Sequence, residues 1–172
     1  MRFQRSRLRW PEIVAGVAAV VLLLSTFLLP WYGYKGDLAP IAARLGVSTS
    51  QNAWHSLSTT RWLLLLTIVA ALALVYLQGT RRSPALPATF SLFVWLLGGL
   101  TSLVLIYRVL INMPGPNDVV SRDAGAYIGL LASIVIAFAG YRSLRAEGIA
   151  PQDAPKEIPT IHFDQAEVGT PS

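Results

Sequence analysis

Four long apolar runs, broken by polar connections, decide what this chain can fold into. They are Ile13–Leu29, Trp62–Leu77, Phe90–Ile111 and Ala124–Tyr141, and the single charged side chain within them is Arg108. A helix needs roughly 20 predominantly apolar residues to cross the hydrocarbon core of a bilayer. Each run meets that length once its flanks are counted, and each is apolar all round, as a helix surrounded by lipid and other helices must be. The runs predict an all-α fold: an integral membrane four-helix bundle with spans at about 10–29, 60–78, 87–111 and 124–142.

The ends of the runs carry helix punctuation. Pro30-Trp31-Tyr32-Gly33 closes the first, and Ser58-Thr59-Thr60 can cap the second. Pro87 suits the first turn of the third, which Asn112-Met113-Pro114-Gly115-Pro116 ends. A secretory signal peptide is the rival reading of the first run, since Arg2, Arg5, Arg7 and Arg9 form a basic n-region. Its apolar stretch is too long and no small-x-small cleavage site follows directly, so an uncleaved anchor is expected.

Lys and Arg set the expected orientation. With four crossings, Arg2, Arg5, Arg7, Arg9, Arg81, Arg82, Arg142, Arg145 and Lys156 share one side, against Lys35, Arg44, Arg61, Arg108 and Arg122 on or near the other. The richer side is expected to be cytoplasmic, with both termini there and the protein in the plasma membrane. Trp31, Tyr32, Tyr34, Trp54, Trp62, Tyr107 and Tyr127 then fall at the outer interface, Trp10, Tyr76 and Tyr141 at the inner one, and Trp95 lies deep. The net charge of +5 is explained by anionic lipids at the cytoplasmic face, because the arginines flank apolar spans and form no nucleic-acid surface.

Outside the spans, the first outer segment of about thirty residues is too long to lack structure in a compact fold. Leu38, Ile41, Ala42 and Leu45 recur at helical spacing beside Lys35 and Arg44, predicting a short helix on the bilayer surface that caps the bundle. Residues 1–146 form the transmembrane domain. Residues 147–172, with Pro151, Pro155, Pro159 and Pro171 among acidic residues, read as a disordered cytoplasmic tail in which Ile158–Phe163 can add a strand to a partner.

Chemistry is sparse. There is no cysteine, and His55 and His162 fall on opposite sides of the membrane. No zinc-protease histidine pair, phosphate-binding glycine loop or nucleophile elbow occurs, so neither catalysis nor a cofactor is expected. Arg108 stands out, one turn inside the outer end of the third span. It can snorkel to the headgroups, pair with Asp118 or Asp123 to tie the second outer loop to the bundle, or join Arg122, Trp31, Tyr32 and Trp54 in a lipid-headgroup pocket. Glu12 sits at the inner edge of the first span.

Packing signals are stronger. Gly125 and Gly129 form GxxxG, and Gly98 with Ser102 gives the third span a small-residue stretch; both predict close helix contacts, within one bundle or in a homo-oligomer. The leading expectation is a non-enzymatic accessory, scaffold or sensor subunit with a membrane-protein partner. The alternatives are an oligomeric small-solute channel lined by Ser25, Thr26, Thr101, Ser102 and Ser133, or a lipid-headgroup-binding protein.

Leu29-Pro30-Trp31-Tyr32, Asn52-Ala53-Trp54, Leu105-Ile106-Tyr107-Arg108 and Tyr141-Arg142-Ser143-Leu144 carry a family likeness over most of residues 10–146. In these features the chain resembles a diffuse, uncharacterised group of multi-pass membrane proteins of high-GC actinobacteria. The resemblance implies a four-helix membrane protein in a bacterial plasma membrane and brings no substrate, cofactor or catalytic residue.

Overall fold

A computed structural model describes residues 9–36, 38–80 and 86–146, with backbone alone for 86–89. The expectations placed on the basic residues 2–7, on Arg81 and Arg82 and on the tail from 147 lie outside the described residues.

Four helices are long and apolar enough to cross a membrane. α1 is Trp10–Leu28, α4 is Thr60–Thr80, α5 is Leu86–Ile106 and α6 is Ala124–Ala146; the outer connection before α4 holds the short helices α2 (Leu38–Arg44) and α3 (Ala53–Ser56). α1 starts at Trp10-Pro11, where a missing amide hydrogen costs nothing, and the Glu12 carboxylate accepts the backbone N–H of Arg9. It stops where Leu29 turns extended ahead of Pro30, which cannot continue a helix. α5 runs on into a π-helical turn, Tyr107–Ile111, closed by the Asn112 N–H on the Tyr107 carbonyl at 2.8 Å.

The helices form a ring in which α1 packs on α4 and α6, and α5 packs on α4 and α6. α1 and α6 run antiparallel: Arg9 Nη1 donates to Ala146 O at one end, and Gly125 N donates to Pro30 O at the other. The interior is built of small residues, with Ala15, Ala19, Ala71, Ala126 and Ala139 buried around Leu22, Leu64, Leu74 and Ile136. The bulky side chains point outward; Leu103 and Leu131 are 66% and 64% exposed. Small residues inside let the helix backbones approach closely, and the apolar exterior is of the kind that suits a helix long enough to cross a membrane.

The outer connections fold together into something helical periodicity does not announce. β1 (Tyr32–Tyr34) is the centre of a three-stranded antiparallel sheet, flanked by β2 (Ser50–Gln51) and by β3 (Val120–Arg122) from the other outer connection. Tyr32 stands opposite both Gln51 and Arg122, and Tyr34 opposite Val120. The fold stays mainly helical, but its cap is a miniature sheet carrying α2 and α3. α2 forms over the stretch whose spacing predicts it, and its Leu38 and Ile41 are exposed, so its apolar side is not spent on the core.

Candidate functional site

Three features at the capped end of the bundle combine geometry with chemistry: a tryptophan lock, an arginine pair and a cleft.

The lock joins cap to bundle. Trp31, directly before β1, is completely buried. Its indole lies on Gly125 and Gly129 of α6, where a Cβ on Gly129 would stand 2.2 Å from the ring and one on Gly125 would stand 2.5 Å from Pro30 O. Trp31 Nε1 donates to Ser25 O at 2.8 Å and to Ser25 Oγ at 3.1 Å, and Ser25 Oγ donates to Gly125 O at 2.8 Å. Trp31 O then accepts from Asp123 N, helping to satisfy the start of α6. Trp31 is thus buried within the bundle at the end of α1, and the notch at Gly125 and Gly129 takes its indole beside the contact that α1 makes at Gly125 through Ser25. A lone GxxxG says only that a groove exists. Gly98 and Ser102 lie at the α5–α6 crossing, where a Cβ on Gly98 would sit 2.9 Å from Ala137 N and Ser102 Oγ donates to Ser133 Oγ at 3.1 Å.

The arginine pair flanks Tyr32. The Tyr32 hydroxyl donates to Arg108 O at 3.2 Å, and Arg122 Nη2 donates to Leu110 O at 2.9 Å, so Tyr32 and Arg122 both reach the π-helical turn that carries Arg108. Burial pushes the Tyr32 phenol up to about 12, against the opposing pull of the Arg108 and Arg122 charges, and it stays neutral at working pH. Among the described residues no ion pair joins Arg108 to Asp118 or Asp123. The pleat explains Asp123: it falls on the sheet face of Gly33, whose added Cβ would stand 3.0 Å from its carboxylate, whereas Tyr32 and Arg122 share the opposite face. Asp118 is exposed in the loop. The loop is tied down by Tyr32 and Arg122 instead. Arg122 Nε is buried without an acceptor, which costs about 1–3 kcal/mol for an unsatisfied donor.

Trp54 belongs to a different cluster. Its ring lies 5.2 Å from Phe27 and 5.8 Å from Trp62, and the Arg61 guanidinium sits 5.2 Å from the Trp54 ring and 5.6 Å from that of Trp62. The expected pocket of Arg108, Arg122, Trp31, Tyr32 and Trp54 therefore divides: Trp31 enters the bundle, Trp54 pairs with Arg61, and Tyr32 alone stays with Arg108 and Arg122. Arg61, Trp62 and Phe27 escaped sequence reasoning because their meeting depends on how α3 sets Trp54 against the ends of α1 and α4.

The cleft, about 280 Å³, opens between the sheet and the connections that lead back to the helices. Tyr32, Tyr34, Thr49, Gln51, His55 and Pro114 are among its lining residues, and none of the lining side chains is a carboxylate, lysine or arginine. Asn52 sets one wall: its Nδ2 donates to Phe27 O at the end of α1, which leaves Oδ1 to accept from His55 N and, at 2.8 Å, from His55 Nδ1. That tautomer leaves Nε2 as an acceptor.

Deeper polar groups are engaged at helix crossings. Thr67 and Thr101 hydroxyls meet at 2.6 Å, Thr26 donates to Leu22 O, and Ser25, Ser102 and Ser133 have the partners given above. Thr67 with Thr101 and Ser102 with Ser133 bridge neighbouring helices, whereas the Thr26 bond stays within α1. At the opposite end Glu12, in the first turn of α1, is 2% exposed; Ser143 Oγ lies 3.5 Å from its carboxylate and 3.2 Å from Ser91 Oγ. Trp95 of α5 is 37% exposed, its ring 6.1 Å from that of Tyr141 and tilted 47° to it. Among the described residues no group of three or more His, Asp or Glu gathers to hold a metal ion. No family model matches the chain, and no curated protein or solved structure is significantly similar to it.

Proposed function

We propose that this protein crosses a bacterial plasma membrane four times, with both termini cytoplasmic, and serves as a non-enzymatic accessory or sensor subunit that meets its partner through the outer cap. The observation that carries this reading is the Trp31 lock. A loop that merely closes a bundle needs no buried indole bonded to one helix and seated in another; one that must hold a recognition surface in fixed register with the helices does. The cleft beside the lock supports binding over chemistry. Its hydroxyls, amide and imidazole can form hydrogen bonds, while its lining supplies no carboxylate to activate a nucleophile. The exposed apolar residues Leu38 and Ile41 of α2 widen the surface open to a partner or to the headgroup layer.

Site-specific photo-crosslinking in intact cells tests this reading. A photoreactive side chain at Tyr34, in the cleft, is expected to give one discrete crosslinked protein, whereas one at Leu131, on the lipid-facing side of α6, gives none. Discrete crosslinks from Leu131 with none from Tyr34 would place the partner on the bundle and end the cap reading.

A further inference from the structure

The arginine pair carries an inference that the cap reading does not include. Arg108 and Arg122 come from elements far apart in sequence, yet both are brought to Tyr32, one through its carbonyl and the other as the cross-strand neighbour. The Arg108 guanidinium donates to no protein acceptor among the described residues, and Arg122 commits one nitrogen to Leu110 O while its Nε has no partner. Neither is ion-paired to a described carboxylate: Asp123 lies on the other face of the sheet and Asp118 stands out in the loop. Two cations held against an apolar bundle without a counter-charge form a site complementary to an anion with several acceptor oxygens. Depth narrows the choice. Arg108 lies three residues, about 4.5 Å of helical rise, inside the end of the apolar stretch Phe90–Ile111, a depth from which an arginine side chain can extend to lipid phosphates.

We infer that Arg108 and Arg122 bind the phosphate of an anionic phospholipid in the outer leaflet, the Arg108 guanidinium supplying the free donors and Arg122 the second charge. Tyr32 remains a neutral phenol there and adds no competing negative charge. Arg61 Nε likewise lacks a hydrogen-bond partner, but two indole rings cover its guanidinium at 5.2 and 5.6 Å, which gives that charge cation–π contacts and limits access to it.

Native mass spectrometry of the full chain, released from detergent and titrated with phosphatidylglycerol or with inorganic phosphate, tests the inference. One phosphatidylglycerol is expected to bind, with affinity reduced about tenfold in Arg108→Gln, the scale of one charge-assisted contact. Arg44→Gln, which removes an exposed charge on α2, should leave binding unchanged. Because the Arg108 guanidinium holds no protein acceptor, Arg108→Gln should unfold at the wild-type temperature; Arg108→Lys, which keeps the charge, should recover part of the affinity and controls for any folding loss. Displacement of the lipid by inorganic phosphate at similar concentration would support the anion site and assign it to a soluble phosphate. Equal lipid binding by wild type and Arg108→Gln, or no binding of either probe, would overturn the inference.

Discussion

Helix α6 makes two close approaches that look alike in sequence and differ in kind. Near its start, Gly125 and Gly129 receive the Trp31 indole from a loop; near its end, Gly140 receives the backbone of α5, where an added Cβ would lie 2.8 Å from Trp95 N. The first pair matches the well-known spacing for helix association, yet what fills it at Gly129 is an indole, with α1 reaching Gly125 through Ser25. Gly140 matches no such spacing on its own and meets the α5 backbone at Trp95, as Gly98 of α5 meets the α6 backbone at Ala137. A glycine in an apolar helix marks room for something, and only the tertiary structure says whether that is a helix or a side chain.

This difference can be broken experimentally. The largest effect is expected from Gly129→Ala, whose methyl would occupy the space of the indole ring. Either Trp31 leaves its seat or α6 shifts, at a cost of about 3 kcal/mol, and thermal unfolding in detergent should show the loss together with increased proteolysis of the outer segment. If Gly129→Ala unfolds like wild type, the notch is not filled by Trp31. Gly140→Ala should cost less, about 1–2 kcal/mol, because two helices can separate by a few tenths of an ångström, and it should leave the protease resistance of the cap unchanged. Ser25→Ala removes one acceptor of Trp31 and the bond to Gly125 O but keeps the Ser25 carbonyl, so about 1 kcal/mol is expected.

Tyr32→Phe gives the smallest effect at neutral pH and sharpens the comparison at alkaline pH. Burial holds the Tyr32 phenol at about 12 when folded, against an ordinary value of 10.0. Below pH 10 the phenol is protonated in both folded and unfolded chains, and its contribution is complete. Between 10 and 12 the unfolded chain loses the proton first, so stability falls as pH rises through that window. Tyr32→Phe should remove this part of the alkaline loss, seen by following unfolding and the phenolate absorbance together. An unchanged alkaline profile in Tyr32→Phe would mean that Tyr32 is not buried against Arg108 and Arg122.

The four long helices were legible because each is apolar along its whole length, and the run itself records that. α2 was legible for a similar reason, its apolar spacing being local. The sheet was not. Its strands are two or three residues long, have no alternation to read, and exist only because β1 finds partners on two different connections. The same holds for the site: Arg108 could be singled out as a charge in an apolar run, but its relation to Arg122 depends on the register Tyr32↔Arg122, and the separation of Asp123 depends on the pleat. Arg61 and Trp62 looked like ordinary interfacial residues until Trp54 was placed between Phe27 and Trp62. Glu12 lies at the edge of its helix as its position in the run indicates, but hydropathy reports depth along a helix and not that this side of it faces the bundle.

The central claim is that the two outer connections form one folded cap, with β1 and β3 in register. The chain has no cysteine, which makes a clean test available. Backbone bonds from Lys35 N to Val119 O and from Asp123 N to Trp31 O make Tyr34 and Val120 a non-hydrogen-bonded pair between them, the closer type, with Cα atoms about 4.5 Å apart. That spacing suits a disulfide. The purified double variant Tyr34→Cys, Val120→Cys is predicted to oxidise fully in air to an intramolecular bond, seen as faster migration without reductant. The shifted pair Leu38→Cys, Val120→Cys should stay reduced. Equal oxidation of both pairs, or none in either, would contradict the register and with it the cap.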